Sequence, residues 1–318
     1  MVYIIYLLLA ASVVFASNLA AKYVDILDKQ TSLSGAFIGG VMLSAVTSLP
    51  ELFTSLSSTL ILHKPGLCLG NIMGSNMFNS FLLGGLILLF FNGFRQSHIS
   101  QSHSVTGLMV VFSFLSIFLN YCGLVSFSFL SISITSLLLL VFYIIGLRKM
   151  SGENGEPEDD QASKTVPSAL SLRQLVIRLV ITSIFIVVIS ILLTYATDTI
   201  SHKLNLEQGF AGALLLGIAT SLPELSSTFT LFRIKNHNIA VGNIVGSNIF
   251  NFIILTVADV LYVGGGLYDF GDHSTQILVI TGTAQSIFML VLLRCKNMAT
   301  QIVCSVAIIS AYLIFLAY

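Results

Sequence analysis

Of the chain's 318 residues, 55% are hydrophobic and only 9% charged, and mean hydropathy is +0.95; no soluble domain hides that much apolar surface, so the sequence belongs in lipid. Fourteen basic residues balance fourteen acidic ones, which excludes the basic footprint of a nucleic-acid binder and leaves no polybasic cluster for a particular lipid. Cys68, Cys122, Cys295 and Cys304 form no CxxC pair, so they read as packing residues rather than as a zinc site or a disulfide framework.

A membrane-spanning helix needs roughly 20 apolar residues. In chain order the apolar runs predict ten spans, at 2–24, 33–62, 67–91, 104–120, 124–147, 173–200, 205–232, 238–263, 274–293 and 298–317. In lipid, helices are the form that satisfies the backbone of such runs. The first run has no basic residue before Lys22 and is expected to remain a span rather than to be cleaved as a signal peptide. The hydrophilic stretch 148–171, with an acidic run at 153–160, lacks the ligand pattern of an EF-hand and reads as a solvated cytoplasmic linker between two five-span halves, 1–147 and 172–318. With ten spans, every basic residue except Lys64 and Lys203 falls on one side, twelve against two. The excess marks the cytoplasm. Both termini are then expected outside, in a multi-pass protein of a cell membrane, in a bacterium the inner one.

The segment TSLPEL at 47–52 recurs at 220–225, and GNIMGSNMFN at 70–79 recurs as GNIVGSNIFN at 242–251, offsets of 173 and 172 residues. Two matches at nearly one offset mark an internal repeat. Five spans, an odd number, separate corresponding elements, so the second half is expected upside down. The predicted fold is an all-α membrane protein of ten transmembrane helices arranged as two inverted five-helix repeats, with a site near the midplane where the repeats meet.

Glu51 and Glu224 fall well inside apolar spans. On insertion scales two buried charges cost roughly 5–7 kcal/mol uncompensated, and neither span core offers a lysine or arginine. A bound cation is one compensation; protonated, hydrogen-bonded glutamates are the other. Pro50 and Pro223 deny a helix N–H to the carbonyls of Val46 and Ala219 and are expected to break their helices, an ordinary kink being the rival reading for each. Thr47 and Ser48 share the helical face of Glu51, as Thr220 and Ser221 share that of Glu224. Ser75 with Asn79, and Ser247 with Asn251, stand four apart and present a hydroxyl and an amide oxygen together; bridging between helices is the rival reading for these four. Asn71 and Asn243 are weaker candidates. Gly70 with Gly74, and Gly242 with Gly246, are small-xxx-small pairs for close helix approach. Carboxylates, hydroxyls and amide oxygens without His or Cys suit hard cations such as Ca2+ and Na+. Two glutamates balance one Ca2+ or two Na+, a basis for exchange.

At these motifs the sequence resembles the cation/Ca2+ exchanger superfamily, in particular its prokaryotic Na+/Ca2+ exchanger branch. The resemblance implies ten helices, Na+-driven Ca2+ extrusion, and ion ligands at Thr47, Ser48, Glu51, Ser75, Asn79, Thr220, Ser221, Glu224, Ser247 and Asn251. Many Na+/Ca2+ exchangers resemble GSNxFD in the second repeat, where this chain has Asn251, so one titratable ligand is absent. H+/Ca2+ antiport within the same superfamily is the near alternative and a cation channel the remote one. Ser48 and Ser221 have no intramembrane base to activate them, so no catalytic residue or enzyme activity is expected. No resident cofactor or protein partner is expected either; the partners are Ca2+, Na+ and the bilayer.

Overall fold

The computed structural model describes residues 1–30, 46–129, 132–152, 171–263 and 265–317. Helix α1 spans Val2–Gln30. After it come α2 (Leu49–Leu56), which runs on into a π-helical turn Ser57–Ile61, α3 (Pro65–Leu89), the short α4 (Phe91–Gln96) and α5 (Gln101–Tyr121). A two-residue antiparallel hairpin, β1 (Ser128–Phe129) with β2 (Ile132–Ser133), precedes α6 (Ile134–Gly152). The second part holds α7 (Leu172–Leu204), α8 (Gln208–Ala211) with a π-helical turn Gly212–Gly217, α9 (Ile218–Arg233), α10 (His237–Leu261), α11 (His273–Arg294) and α12 (Met298–Ala317). Among the described residues eight helical stretches are long and apolar enough to cross a membrane: Val2–Val24, α3, α5, α7, Gln208–Arg233, α10, α11 and α12. The chain is a nearly all-helical, multi-span membrane protein.

Helix ends follow local chemistry. Pro65 opens α3, where its missing N–H costs nothing. A capping box of Ser171 and Gln174 starts α7, and Asp272 caps α11 by accepting the N–H of Thr275 at 2.9 Å. The predicted fifth span, 124–147, needs correction at its start. Serine alternates with phenylalanine at 126–129, a period of two that suits a strand, and the helix begins only at Ile134. There the Ser133 hydroxyl accepts the Thr135 N–H at 3.2 Å, and the Ser133 N–H is taken by Asp259 of α10 at 2.8 Å. The first part of the predicted second span, 33–45, and most of the linker, 153–170, lie outside the described residues.

The bundle is apolar inside and out, with polar side chains gathered within it. On α3 every residue from Gly66 to Ser80 is buried, including Asn71, Ser75, Asn76 and Asn79, whereas α7 turns Val176, Val180, Ile184 and Val188 outward. Buried polar side chains sit among the apolar core of α3, and aliphatic groups face outward on α7. At one end Lys64 pairs with Asp198 and lies 2.8 Å from Nε2 of His202, while Glu207 accepts from Ser274 and Asp272 from the Gly209 N–H. At the other end Arg95 reaches Met298, and the Ser100 N–H donates to Asn238 at 2.9 Å. All four cysteines are free; Cys68 and Cys304 pack inside, but Cys122 is exposed on a turn and so is not a packing residue.

Candidate cation site

The two TSLPE segments are built differently. The chain is helical at Val46 and Thr47, turns at Ser48 (φ −91°, ψ 9°) and resumes as α2, so Pro50 sits in a first turn. The expected break is there. In the second half Pro223 lies inside α9, which passes through it, and the irregularity is the π-helical turn at Gly212–Gly217 upstream. The expected break at Pro223 is therefore corrected: the helix continues through the proline.

Glu51 and Glu224 are both buried, at 1% and 3% exposure. The Ser221 hydroxyl points at Glu51 Oε1 from 3.5 Å. A glutamate of one half thus meets a hydroxyl of the other. The Thr220 hydroxyl donates to Leu216 O at 3.0 Å, which leaves its lone pairs open. Thr47 is only half-buried, unlike Thr220.

The GSN helices reach this site because glycine lets them. An ideal Cβ on Gly70 would sit 2.3 Å from Gly209 O, and one on Gly74 would sit 2.4 Å from the Ala213 Cα. Backbone packing this tight puts the Ser75 hydroxyl 3.2 Å from Gly217 O, so Ser75 does bridge helices. Asn71 donates to Thr54 and Ser55 at 2.8 and 2.9 Å and ties α3 to α2; Asn243 donates to Ser227 and Thr228 at 3.1 and 3.0 Å and ties α10 to α9. These asparagines brace helices within each half through their Nδ2 groups.

Between the halves, four buried asparagines interlock. Asn76 Nδ2 donates to Asn248 O at 3.1 Å and Asn248 Nδ2 to Asn76 O at 3.4 Å. Asn79 Nδ2 donates to Asn248 Oδ1 at 3.1 Å, and Asn251 Nδ2 to Asn76 Oδ1 at 2.9 Å. Sequence reading missed Asn76 and Asn248, although both stand at the same place in the repeated GSN. Six buried oxygens of the expected ligand set have no hydrogen-bond partner among the described residues: Ser48 Oγ, Glu51 Oε2, Asn79 Oδ1, Glu224 Oε2, Ser247 Oγ and Asn251 Oδ1. Buried polar atoms are normally paired; these six fall on the two repeated motifs, while other buried side-chain atoms, Asn71 Oδ1, Ser190 Oγ and the Tyr312 hydroxyl among them, also lack a partner among the described residues.

A family model described as sodium/calcium exchanger protein matches residues 1–148 and 174–318. The chain belongs to this family. Relatives of this chain include an uncharacterised membrane protein of Methanocaldococcus jannaschii, 30% identical over 220 residues, 69% of this chain and 68% of that one. Inner membrane protein YrbG of Escherichia coli is 27% identical over 274 residues, 84% and 82% of the two chains. Among solved structures, the H+/Ca2+ exchanger CAX superposes with a TM-score of 0.68 at 13% identity, covering 99% of this chain and 87% of that one. The sodium-calcium exchanger NCX_Mj gives 0.62 at 21% identity, over 100% and 99%. At these identities the likeness is one of fold, so the chemistry of this exchanger-family site rests on its own residues.

Proposed function

We propose that the chain is a secondary antiporter exchanging Ca2+ for Na+ by alternating access, with both ions competing for one site around Glu51 and Glu224. The observation that carries this reading is the set of six unpartnered buried oxygens on the two motif pairs. Ca2+ takes six to eight oxygen ligands, which these atoms, with Thr47, Ser75, Thr220 and Ser221 beside them, are suited to supply. Two carboxylates make one Ca2+ or two Na+ an even exchange of charge.

The proposed frame is ten helices in two inverted halves, 1–147 and 172–318, joined by the 148–171 linker. Hydrogen bonds that repeat at offsets of 172–173 support it: Asn71 to Thr54 and Ser55 is matched by Asn243 to Ser227 and Thr228. Both termini are proposed to lie outside a bacterial inner membrane, with the linker in the cytoplasm. No catalytic activity and no resident cofactor form part of the proposal.

Protons are the rival coupling ion, since protonation of both glutamates also balances one Ca2+. Labelled Ca2+ uptake into proteoliposomes under imposed Na+, H+ or K+ gradients decides between them. Uphill uptake driven by Na+ is expected. Uptake driven by H+ alone reassigns the coupling ion, and purely downhill flux makes the protein a channel.

A further inference from the structure

We infer that Asn76 and Asn248 are positioning residues that hold the Asn251 and Asn79 amides with Oδ1 turned toward the cation, each acting on the motif of the opposite half. The inference rests on the cation reading of the site. An asparagine amide has an oxygen end and an NH2 end of nearly equal size, and only the oxygen end binds a cation. What sets the orientation here is the backbone. A main-chain carbonyl only accepts, so Asn248 O fixes the Nδ2 end of Asn76, at 3.1 Å, and Asn76 O fixes that of Asn248, at 3.4 Å. Ser80 Oγ, 3.3 Å from Asn248 Nδ2, adds a second partner on the same side. The Oδ1 atoms of both residues therefore face the other way, as acceptors.

Those acceptors leave their neighbours no choice. Asn251 must give Nδ2 to Asn76 Oδ1, at 2.9 Å, and Asn79 must give Nδ2 to Asn248 Oδ1, at 3.1 Å. The remaining atoms, Asn251 Oδ1 and Asn79 Oδ1, are buried without a partner. All four side chains are at most 1% exposed, so water does not compete for these bonds. Two carbonyls thus decide which end of two other side chains meets the ion, across the interface between α3 and α10.

The crossed pairing gives a test that general helix packing does not mimic. Ca2+ affinity of the detergent-solubilised full chain is measured by calorimetry for single and double alanine variants, with melting temperature in Ca2+-free buffer alongside. Freeing one pre-oriented side chain weakens binding by about two- to tenfold, so Asn76→Ala should lose that much and Asn251→Ala, which removes the oxygen itself, about tenfold or more. Asn76→Ala should add no further loss in the Asn251→Ala background but multiply the loss in the Asn79→Ala background. Asn248→Ala should show the mirror pattern, silent with Asn79→Ala and additive with Asn251→Ala; this second cycle carries the test if a variant of the first does not fold. Multiplicative losses within the crossed pairs, or a lowered melting temperature with unchanged Ca2+ affinity, overturn the inference. So does an unchanged affinity in Asn251→Ala, which leaves nothing to orient. Wild-type Ca2+ affinity in Glu51→Gln is a different outcome, which removes the cation reading itself and this inference with it.

Discussion

Replacing Gly74 by alanine tests whether close backbone packing between α3 and the Gly212–Gly217 turn holds the site together. The added Cβ would lie 2.4 Å from the Ala213 Cα and 2.5 Å from its Cβ, whereas carbon atoms rest at about 3.5–4.0 Å. The two helices must therefore part by roughly 1 Å. One residue on, the Ser75 hydroxyl lies 3.2 Å from Gly217 O, and that bond does not survive such a shift. Overpacking of this kind costs about 1–3 kcal/mol. Gly85, on the same helix, has nothing within 4 Å of its ideal Cβ, so Gly85→Ala carries only the helix-propensity gain of up to about 1 kcal/mol. Melting of the purified protein in detergent should place Gly74→Ala below Gly85→Ala by about 1–3 kcal/mol, with Ca2+ flux reduced only in the former. Adding Ala213→Gly should recover only part of the loss, because it removes the clash with the Ala213 side chain and leaves the clash with its main chain. Equal melting and flux for the two alanine variants would refute the argument.

Asn251→Leu removes an oxygen and a cross-helix bond and should weaken Na+-driven Ca2+ flux by about tenfold or more. Asn251→Asp keeps an oxygen and adds a group able to take up a proton, so its flux should persist with a steeper pH dependence than wild type, read from a pH series. A cysteine introduced at Glu156, in the linker, with the exposed Cys122 and the half-buried Cys295 replaced by serine, should react with an impermeant thiol reagent only from the cytoplasmic side; labelling from outside overturns the proposed orientation. The Glu207 pKa is lowered, chiefly by the Ser274 hydroxyl and further by backbone N–H groups. Its stabilising contribution is therefore complete above its unfolded value of 4.5 and lost as pH falls through the folded value. Glu207→Gln should flatten the melting temperature below pH 4.5 relative to wild type.

Most of the helical layout was legible in the sequence because lipid imposes a simple rule: a run of some 20 apolar residues must satisfy its own backbone. Eight stretches follow that rule within a few residues of their predicted bounds. The 124–133 segment escaped it because its residues are apolar enough on average, while their period of two, read over a window of twenty, is invisible. Pro223 misled for another reason: a proline costs a helix one hydrogen bond and a clash, and a membrane helix packed among neighbours carries that cost without ending there. Glu51 and Glu224 stood out because a buried acid is expensive. Asn76 and Asn248 did not, because their meaning lies in partners 172 residues away that only packing brings near. Asp259 was hidden similarly, as a span-end acid whose buried carboxylate holds the hairpin that starts α6.

The central claim is that the Glu51 and Glu224 carboxylates bind the transported cation. Isosteric neutralisation, Glu51→Gln and Glu224→Gln, keeps side-chain size, removes one charge each and makes membrane insertion less costly. Each variant is purified, reconstituted and assayed for Ca2+ uptake against an imposed Na+ gradient. The account predicts wild-type levels of inserted protein and no uphill Ca2+ movement in either variant. Robust Na+-driven exchange by a well-inserted Glu51→Gln or Glu224→Gln protein would contradict it.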